Sequence, residues 1–155
     1  MSMVNQIHLG TWEDVMDRIP KDSVDIIITS PPYNVNLGKN KFKKDKYDTY
    51  DDNMPYKNYL KWMDMLFAQS WKVLKSGGRI CINIGDGANG QVTTHADFTI
   101  QMKRYFIPMT TIVWDKKQIG ASTAWGSYQS PSQPSFPTQF EFVIVMAKDT
   151  LKHEA

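Results

Sequence analysis

Residues 24–34, VDIIITSPPYN, decide the fold that we predict for this chain. The run from Val24 to Ile28 is rich in β-branched residues and is followed by a turn signal, which predicts a central strand of an α/β sheet with both faces covered. Pro31 and Pro32 end the strand, because proline fixes its own φ and lacks a backbone N–H. Open α/β sheets bind ligands beyond the carboxyl ends of their strands. We therefore expect the functional site at the end of this stretch.

The tetrapeptide Ser30-Pro31-Pro32-Tyr33 combines a hydroxyl group, a stiff backbone and an aromatic ring. The prolines favour carbonyl oxygens that are free to accept hydrogen bonds, and Tyr33 offers a flat face for stacking. We interpret these four residues as the active site. For the tetrapeptide alone, an ordinary Pro-Pro turn after a strand is the alternative.

The segment TSPPYN, residues 29–34, resembles motif IV of the DNA amino-methyltransferases, (D/N/S)-P-P-(Y/F). The resemblance implies that Ser30 Oγ and the Pro31 carbonyl bind both hydrogens of an exocyclic amino group of cytosine or adenine and direct its lone pair at the methyl group of S-adenosylmethionine (SAM). These two residues would therefore also adjoin the cofactor. Tyr33 would stack on the base once it has left the duplex. Serine in the first position favours cytosine slightly, and adenine stays open.

Later segments resemble the same family in order and at plausible spacing. They are VLKSGGRICINIGD (73–86), IVWDK (112–116), AWGSYQSPSQP (124–134) and FEFVIVMAK (140–148). The resemblance implies a three-layer α/β sandwich of the SAM-dependent methyltransferase type, with a mostly parallel sheet and an antiparallel last strand. The SAM-binding motif (D/N)PFxGxG has no match, so we expect a truncated sheet that lacks the strands of that motif.

Periodicity and capping signals predict the other elements. We expect strands at 6–9, 79–84, 109–114 and 140–147, and helices at 12–19, 55–74 and 94–105. Thr11 is the expected N-cap of the first helix, and Gly77-Gly78 the expected C-cap of the second. The strand, helix and strand around the second helix form a βαβ unit, which predicts that its two strands are parallel and adjacent.

Two long loops are predicted, and the first of them adjoins the site. Residues 38–53 form a mobile basic loop whose lysines alternate with aromatic residues, a pattern that suits phosphates and unstacked bases. We expect Asn34, Lys39, Lys41, Lys43 and Lys44 to bind substrate together with Tyr33. A solvated loop whose lysines serve solubility is the alternative. Residues 116–139, rich in Ser, Gly and Pro, form the second loop.

Composition sets the remaining expectations. The 155 residues allow one catalytic domain, 1–155, and the net charge of +2 is too small to identify a nucleic-acid partner by itself. Cys81 is the only cysteine, which predicts a small core residue in a reducing compartment. No Cys/His cluster has metal-ligand spacing, so we predict no metal. The sequence predicts neither a signal peptide nor a membrane span, and hence a cytoplasmic protein.

Three functions remain open from the sequence. The first is a minimal DNA amino-methyltransferase, and the second is a DNA-binding catalytic half that lacks a SAM site and is inactive alone or completed by a partner chain. The third is an amino-methyltransferase that acts on RNA or on a protein amide. Because a truncated sheet would expose unpaired edges, we also expect a homo-oligomer or a complementing chain.

Overall fold

The structure, a computed structural model, describes residues 5–34, 52–87, 92–117 and 139–152. The helices are α1 (Trp12–Met16), α2 (Tyr56–Val73) and α3 (Thr94–Met102), and the strands are β1 (Val24–Thr29), β2 (Leu74–Ile84), β3 (Ile107–Asp115) and β4 (Phe140–Ala147). None of the helices in these ranges is long and apolar enough to cross a membrane. Most of the two predicted loops, 38–53 and 116–139, lies outside the described residues.

The four strands form one sheet in the order β1-β2-β4-β3. β1 runs parallel to β2, with Thr29 opposite Ile82, which confirms the predicted βαβ unit. β4 is antiparallel to both of its neighbours, so the other three strands share one direction. The predicted fold class, a mostly parallel sheet with an antiparallel last strand, is confirmed.

One face of the sheet packs against the helices. Alternate residues of β2 point to this face, where Ile80, Ile82 and Ile84 are fully buried. Phe67 of α2 and Phe98 of α3 meet them, with ring centroids 5.4 Å apart in an edge-on arrangement. This core fixes β2, and through β2 it fixes the carboxyl end of β1.

The opposite face is much less covered. Ile26 and Ile28 of β1 are 50% and 74% exposed, and Ile112 of β3 is 52% exposed. The prediction of a central strand with both faces covered is therefore wrong for β1, which pairs only with β2 and lies at the edge of the described sheet. Of the three layers of the sandwich, the described residues supply the sheet and one helical layer. Cys81 of β2 alternates with the core isoleucines and is only partly buried, not a core residue.

The predicted strand at 6–9 is not formed. Ile7 and Leu9 are almost fully exposed, because no strand of the described chain pairs with this segment. Thr11 caps α1 as predicted and accepts a hydrogen bond from the Asp14 N–H, but the helix ends at Met16, before the predicted residue 19. Similarly, α3 ends at Met102, before the predicted residue 105.

The glycine pair is part of a strand and not a helix cap. α2 passes directly into β2 because Leu74 is already extended, with ψ at 141°. Gly77 has a φ of 74°, which favours glycine, and its N–H donates to the Lys148 carbonyl at 2.8 Å. A Cβ atom on Gly78 would lie 2.9 Å from the Lys75 carbonyl oxygen. The two glycines therefore permit the irregular start of β2, where its register with β1 shifts.

Candidate active site

The Pro-Pro segment lies at the carboxyl end of β1 and is anchored to the core. The hydroxyl of Tyr59, a fully buried residue of α2, donates to the Pro32 carbonyl at 2.7 Å. Pro31 is buried, whereas Ser30 is exposed. Among the described residues, the Pro31 carbonyl accepts no hydrogen bond. One of the two proline carbonyls is thus hydrogen-bonded within the described part of the chain, and the other is not.

Asn34 closes the segment through its side chain. Its Nδ2 donates to the Met54 carbonyl at 2.8 Å, and its Oδ1 accepts from the Met54 N–H at 2.9 Å. Asn34 has a φ of 55°, a left-handed conformation that asparagine tolerates better than most residues. The contact joins the end of the motif to the start of α2. A role of Asn34 in binding substrate stays a prediction, and here its amide serves the fold.

The hydroxyl of Tyr33 is the centre of a hydrogen-bond network. It accepts from Ser30 Oγ at 3.1 Å and from Asn83 Nδ2 at 2.8 Å. It donates to Glu141 Oε2 at 2.8 Å. Burial, and to a lesser degree Glu141, raise the pKa of Tyr33 to about 12. The hydroxyl therefore keeps its proton at neutral pH.

Glu141 is largely buried, with only 9% of the residue exposed, and three donors bind its carboxylate. Lys116 Nζ donates to Oε1 at 2.6 Å, while Asn83 Nδ2 at 2.7 Å and the Tyr33 hydroxyl share Oε2. Burial alone would raise the pKa of Glu141, but the hydrogen bonds from Lys116, Asn83 and Tyr33 outweigh it, and the pKa lies below its usual value. Glu141 is therefore a carboxylate at neutral pH, where it can only accept hydrogen bonds.

Gly85, just beyond β2, allows the Tyr33 ring to approach this network. A Cβ atom at Gly85 would lie 3.3 Å from Tyr33 Cε2 and 3.4 Å from Glu141 Cγ. The distance to Tyr33 Cε2 is tighter than most van der Waals contacts, so a larger residue at this position would push the ring away. Gly85 therefore helps to fix the orientation of Tyr33.

The next residue, Asp86, connects the end of β2 to α3. Its carboxylate accepts from the His95 backbone N–H at 3.1 Å and lies 2.7 Å from His95 Nδ1. The His95 ring stacks on Phe142 of β4, with centroids 3.8 Å apart and an interplanar angle of 20°. β2, α3 and β4 are thus joined directly beside the Tyr33 network.

Sequence reasoning located one half of this site. Ser30, Pro31, Pro32 and Tyr33 lie together as expected from their adjacency, and their catalytic roles stay predictions. It did not single out the residues that surround Tyr33, namely Asn83, Gly85, Lys116 and Glu141. The available signal was a polar residue within an apolar strand, as with Asn83 in RICINI and Glu141 in FEFVIV.

The predicted DNA-binding residues Lys39, Lys41, Lys43 and Lys44 lie outside the described residues. In the described ranges, no group of three or more His, Cys, Asp or Glu residues could hold a metal ion.

The chain matches known methyltransferases in sequence. A DNA methylase family model matches residues 24–154. The type II methyltransferase M.MjaVI of Methanocaldococcus jannaschii is 36% identical over 152 residues, which cover 96% of this chain and 74% of that protein. M.BglII of Bacillus subtilis is 34% identical over 116 residues, which cover 72% of this chain and 29% of that protein.

Solved structures match its fold. The DNA modification methylase TTHA0409 from Thermus thermophilus, complexed with SAM, has a TM-score of 0.67 at 23% identity, and the match covers 96% of this chain and 55% of that one. The cytosine-N4-specific PvuII DNA methyltransferase has a TM-score of 0.66 at 17% identity, covering 93% of this chain and 49% of that one. This chain thus spans about half the length of these two structures. The family match over most of the chain confirms the resemblance inferred from TSPPYN: the chain belongs to the DNA methylase family, among the DNA amino-methyltransferases.

Proposed function

We propose that this chain carries the catalytic residues for transfer of the methyl group of SAM to the exocyclic amino group of cytosine or adenine in DNA. The observation that supports this most directly is the pair of acceptors at the end of β1. Ser30 is exposed, and the Pro31 carbonyl accepts no hydrogen bond from the described residues. Two adjacent acceptors suit the two hydrogens of an amino group.

The two acceptors would activate the amino nitrogen. Its lone pair is delocalised into the base, which makes it a weak nucleophile. Hydrogen bonds from both amino hydrogens to Ser30 Oγ and the Pro31 carbonyl would localise that lone pair and aim it. Because Tyr59 holds the Pro32 carbonyl, the backbone that presents Pro31 is already positioned before substrate arrives. After methylation the nitrogen would lose one proton to solvent, which the exposure of Ser30 permits.

The described residues fit the reacting end of the cofactor. SAM, when bound, supplies an electrophilic methyl group on a sulfonium sulfur. Ser30 and Pro31 stand at the open edge of the described sheet, where a methyl donor can reach an amino group that they hold.

We propose that Tyr33 stacks on the extruded base. Its ring is held by its hydroxyl at one end and by the close approach of Gly85 on one side. A ring fixed in this way loses little freedom when a base stacks on it. The phosphates of the same DNA would be bound by Lys39, Lys41, Lys43 and Lys44. Because the substrate is cellular DNA, we propose that the enzyme acts in the cytoplasm.

A second candidate is favoured by the open edge of β1. Ile26 and Ile28 are at least half exposed there, and such surfaces are normally covered or paired. On this hypothesis the chain binds DNA but transfers methyl groups only when further polypeptide, a second copy or a different chain, covers β1 and binds SAM.

Radiolabelled SAM incubated with unmethylated DNA of mixed sequence tests the proposal. Nucleoside analysis should show N4-methylcytosine or N6-methyladenine, and a ring-carbon methylated cytosine as the only product would contradict it. Isothermal titration with SAM separates the two candidates: heat of binding to the 155-residue chain supports the first, and its absence together with DNA binding supports the second.

A further inference from the structure

We propose that Glu141 is a positioning residue that sets the direction of the hydrogen bonds running from Ser30 through Tyr33, so that Ser30 Oγ faces the substrate as an acceptor. The proposal rests on the proposed function, because an acceptor is needed only if a donor, the amino group, is bound. Glu141 touches neither of the reacting atoms. It acts through the two hydroxyl groups between it and the substrate.

The direction follows from counting protons. A carboxylate has no proton to give, so the Tyr33 hydroxyl must be the donor in its contact with Glu141. A tyrosine hydroxyl has one proton, so toward Ser30 the Tyr33 oxygen can only accept. The Ser30 proton is then committed to Tyr33. On the side that faces solvent, Ser30 Oγ therefore presents its lone pairs.

Asn83 is oriented by the same carboxylate. Its Nδ2 donates both to Glu141 Oε2 and to the Tyr33 hydroxyl, whereas its Oδ1 is buried and has no hydrogen-bond partner in the described part of the chain. The opposite orientation of this amide would bring its oxygen against a negative carboxylate, at a larger cost than one unsatisfied atom. Asn83 therefore cannot take the Tyr33 proton, and Glu141 is left as its acceptor.

The arrangement also improves Ser30 as an acceptor. A hydroxyl that donates to a chain of hydrogen bonds ending on an anion is polarised, and its oxygen becomes a better acceptor. The anion is the Glu141 carboxylate, and Lys116 holds it in place, with Nζ 2.6 Å from Oε1. If Gln replaced Glu141, its amide could donate to Tyr33, Tyr33 could donate to Ser30, and the Ser30 proton would be free to point at the amino hydrogens.

The network itself can be tested without activity. The chain has three glutamates, Glu13, Glu141 and Glu154, so ¹³C labelling of glutamate carboxyls gives three signals, and Glu141→Gln assigns one of them. The Glu141 signal should titrate below the usual midpoint of a glutamate, and Tyr33→Phe should move that midpoint upward by removing a donor. A Glu141 midpoint at the usual glutamate value, unmoved by Tyr33→Phe, would overturn the proposal.

The kinetic test separates positioning from binding. Glu141→Gln should lower kcat for methyl transfer by about tenfold or more, as expected when one oriented interaction at a reacting group is lost, and should leave the KM for DNA within about twofold. Glu141→Asp, which keeps an acceptor-only group, should recover part of kcat. An unchanged kcat in Glu141→Gln would refute the role of Glu141.

Asp64 offers a matched control. It is a partly buried carboxylate that also accepts from a tyrosine hydroxyl, Tyr105 at 3.2 Å, and is paired with Arg104, but it belongs to α2 and its two partners follow the end of α3. Asp64→Asn should leave kcat unchanged, and an equal loss in both variants would indicate a general effect on folding and refute the specific role.

Should Glu141→Gln not fold, Tyr33→Phe breaks the same chain of hydrogen bonds and must show the loss of kcat. If the wild-type protein transfers no methyl group, the proposed function fails, while the titration still decides the direction of the hydrogen bonds.

Discussion

The two faces of the sheet contain the same kinds of residue in very different surroundings. Ile82 of β2 faces the helices and is fully buried, whereas Ile28, in the neighbouring strand, faces the other way and is 74% exposed. The Tyr33 network lies on the side of Ile28, since Asn83 alternates with Ile82 along β2. Glu141, a member of this network, is nevertheless only 9% exposed. The helical face holds the apolar core, and the other face holds the polar groups to which we assign a function.

The largest effect is expected on the helical face. Ile82→Ala should lower the free energy of unfolding by roughly 2 to 5 kcal/mol, because it leaves a cavity between the sheet and α2. Urea unfolding followed by circular dichroism measures the change. A loss below about 1 kcal/mol would mean that this face is not the rigid core described above.

A smaller effect is expected where the helical face supports the site. Tyr59→Phe removes the hydrogen bond to the Pro32 carbonyl but keeps the buried ring, and it should cost about 1 to 3 kcal/mol. The same urea experiment applies. Tyr105→Phe, whose hydroxyl bonds to Asp64, is the control and should cost less because Tyr105 is only partly buried.

On the other face, the contribution of Glu141 to the stability of the folded chain should depend on pH. Its pKa in the folded chain lies below its usual value, so the stabilisation is fully present above about pH 4.3 and is lost as the pH falls through the lower, folded value. Wild type should therefore exceed Glu141→Gln in thermal stability at neutral pH by more than it does at about pH 3. A difference that grew toward low pH would contradict the sign of this shift.

The smallest effect is expected at the open edge. Ile28→Ala should change the free energy of unfolding by no more than about 0.5 kcal/mol, because most of the side chain is already in water. Ile28→Ala and Ile82→Ala are matched variants, because they make the same residue change in two adjacent strands. Equal losses in the two variants would show that Ile28 is covered in solution, for example by a second copy of the chain.

Local patterns predicted those elements whose own sequence determines them. The apolar stripe of α2, including Tyr59, Met63 and Phe67, and the strand at 140–147 were predicted to within a residue or two. The exposure of β1 and the absence of a strand at 6–9 depend on which neighbours are present, which periodicity does not report. The polar network was missed for a similar reason. Tyr33 and Glu141 lie 108 positions apart and meet only because β1, β2 and β4 are adjacent.

Among the described strands, β1 pairs with β2 alone, which has a consequence for hydrogen exchange. Along a strand the backbone N–H groups point alternately to the two sides, so in β1 some amides point toward β2 and the others away from it. In deuterated water, the first set exchanges slowly, at a rate limited by opening of the sheet, and the second set exchanges quickly. Any polypeptide that pairs with the outer side of β1 would slow only the second set. The exchange rates of six residues, Val24–Thr29, therefore report directly on whether this strand has gained a neighbour.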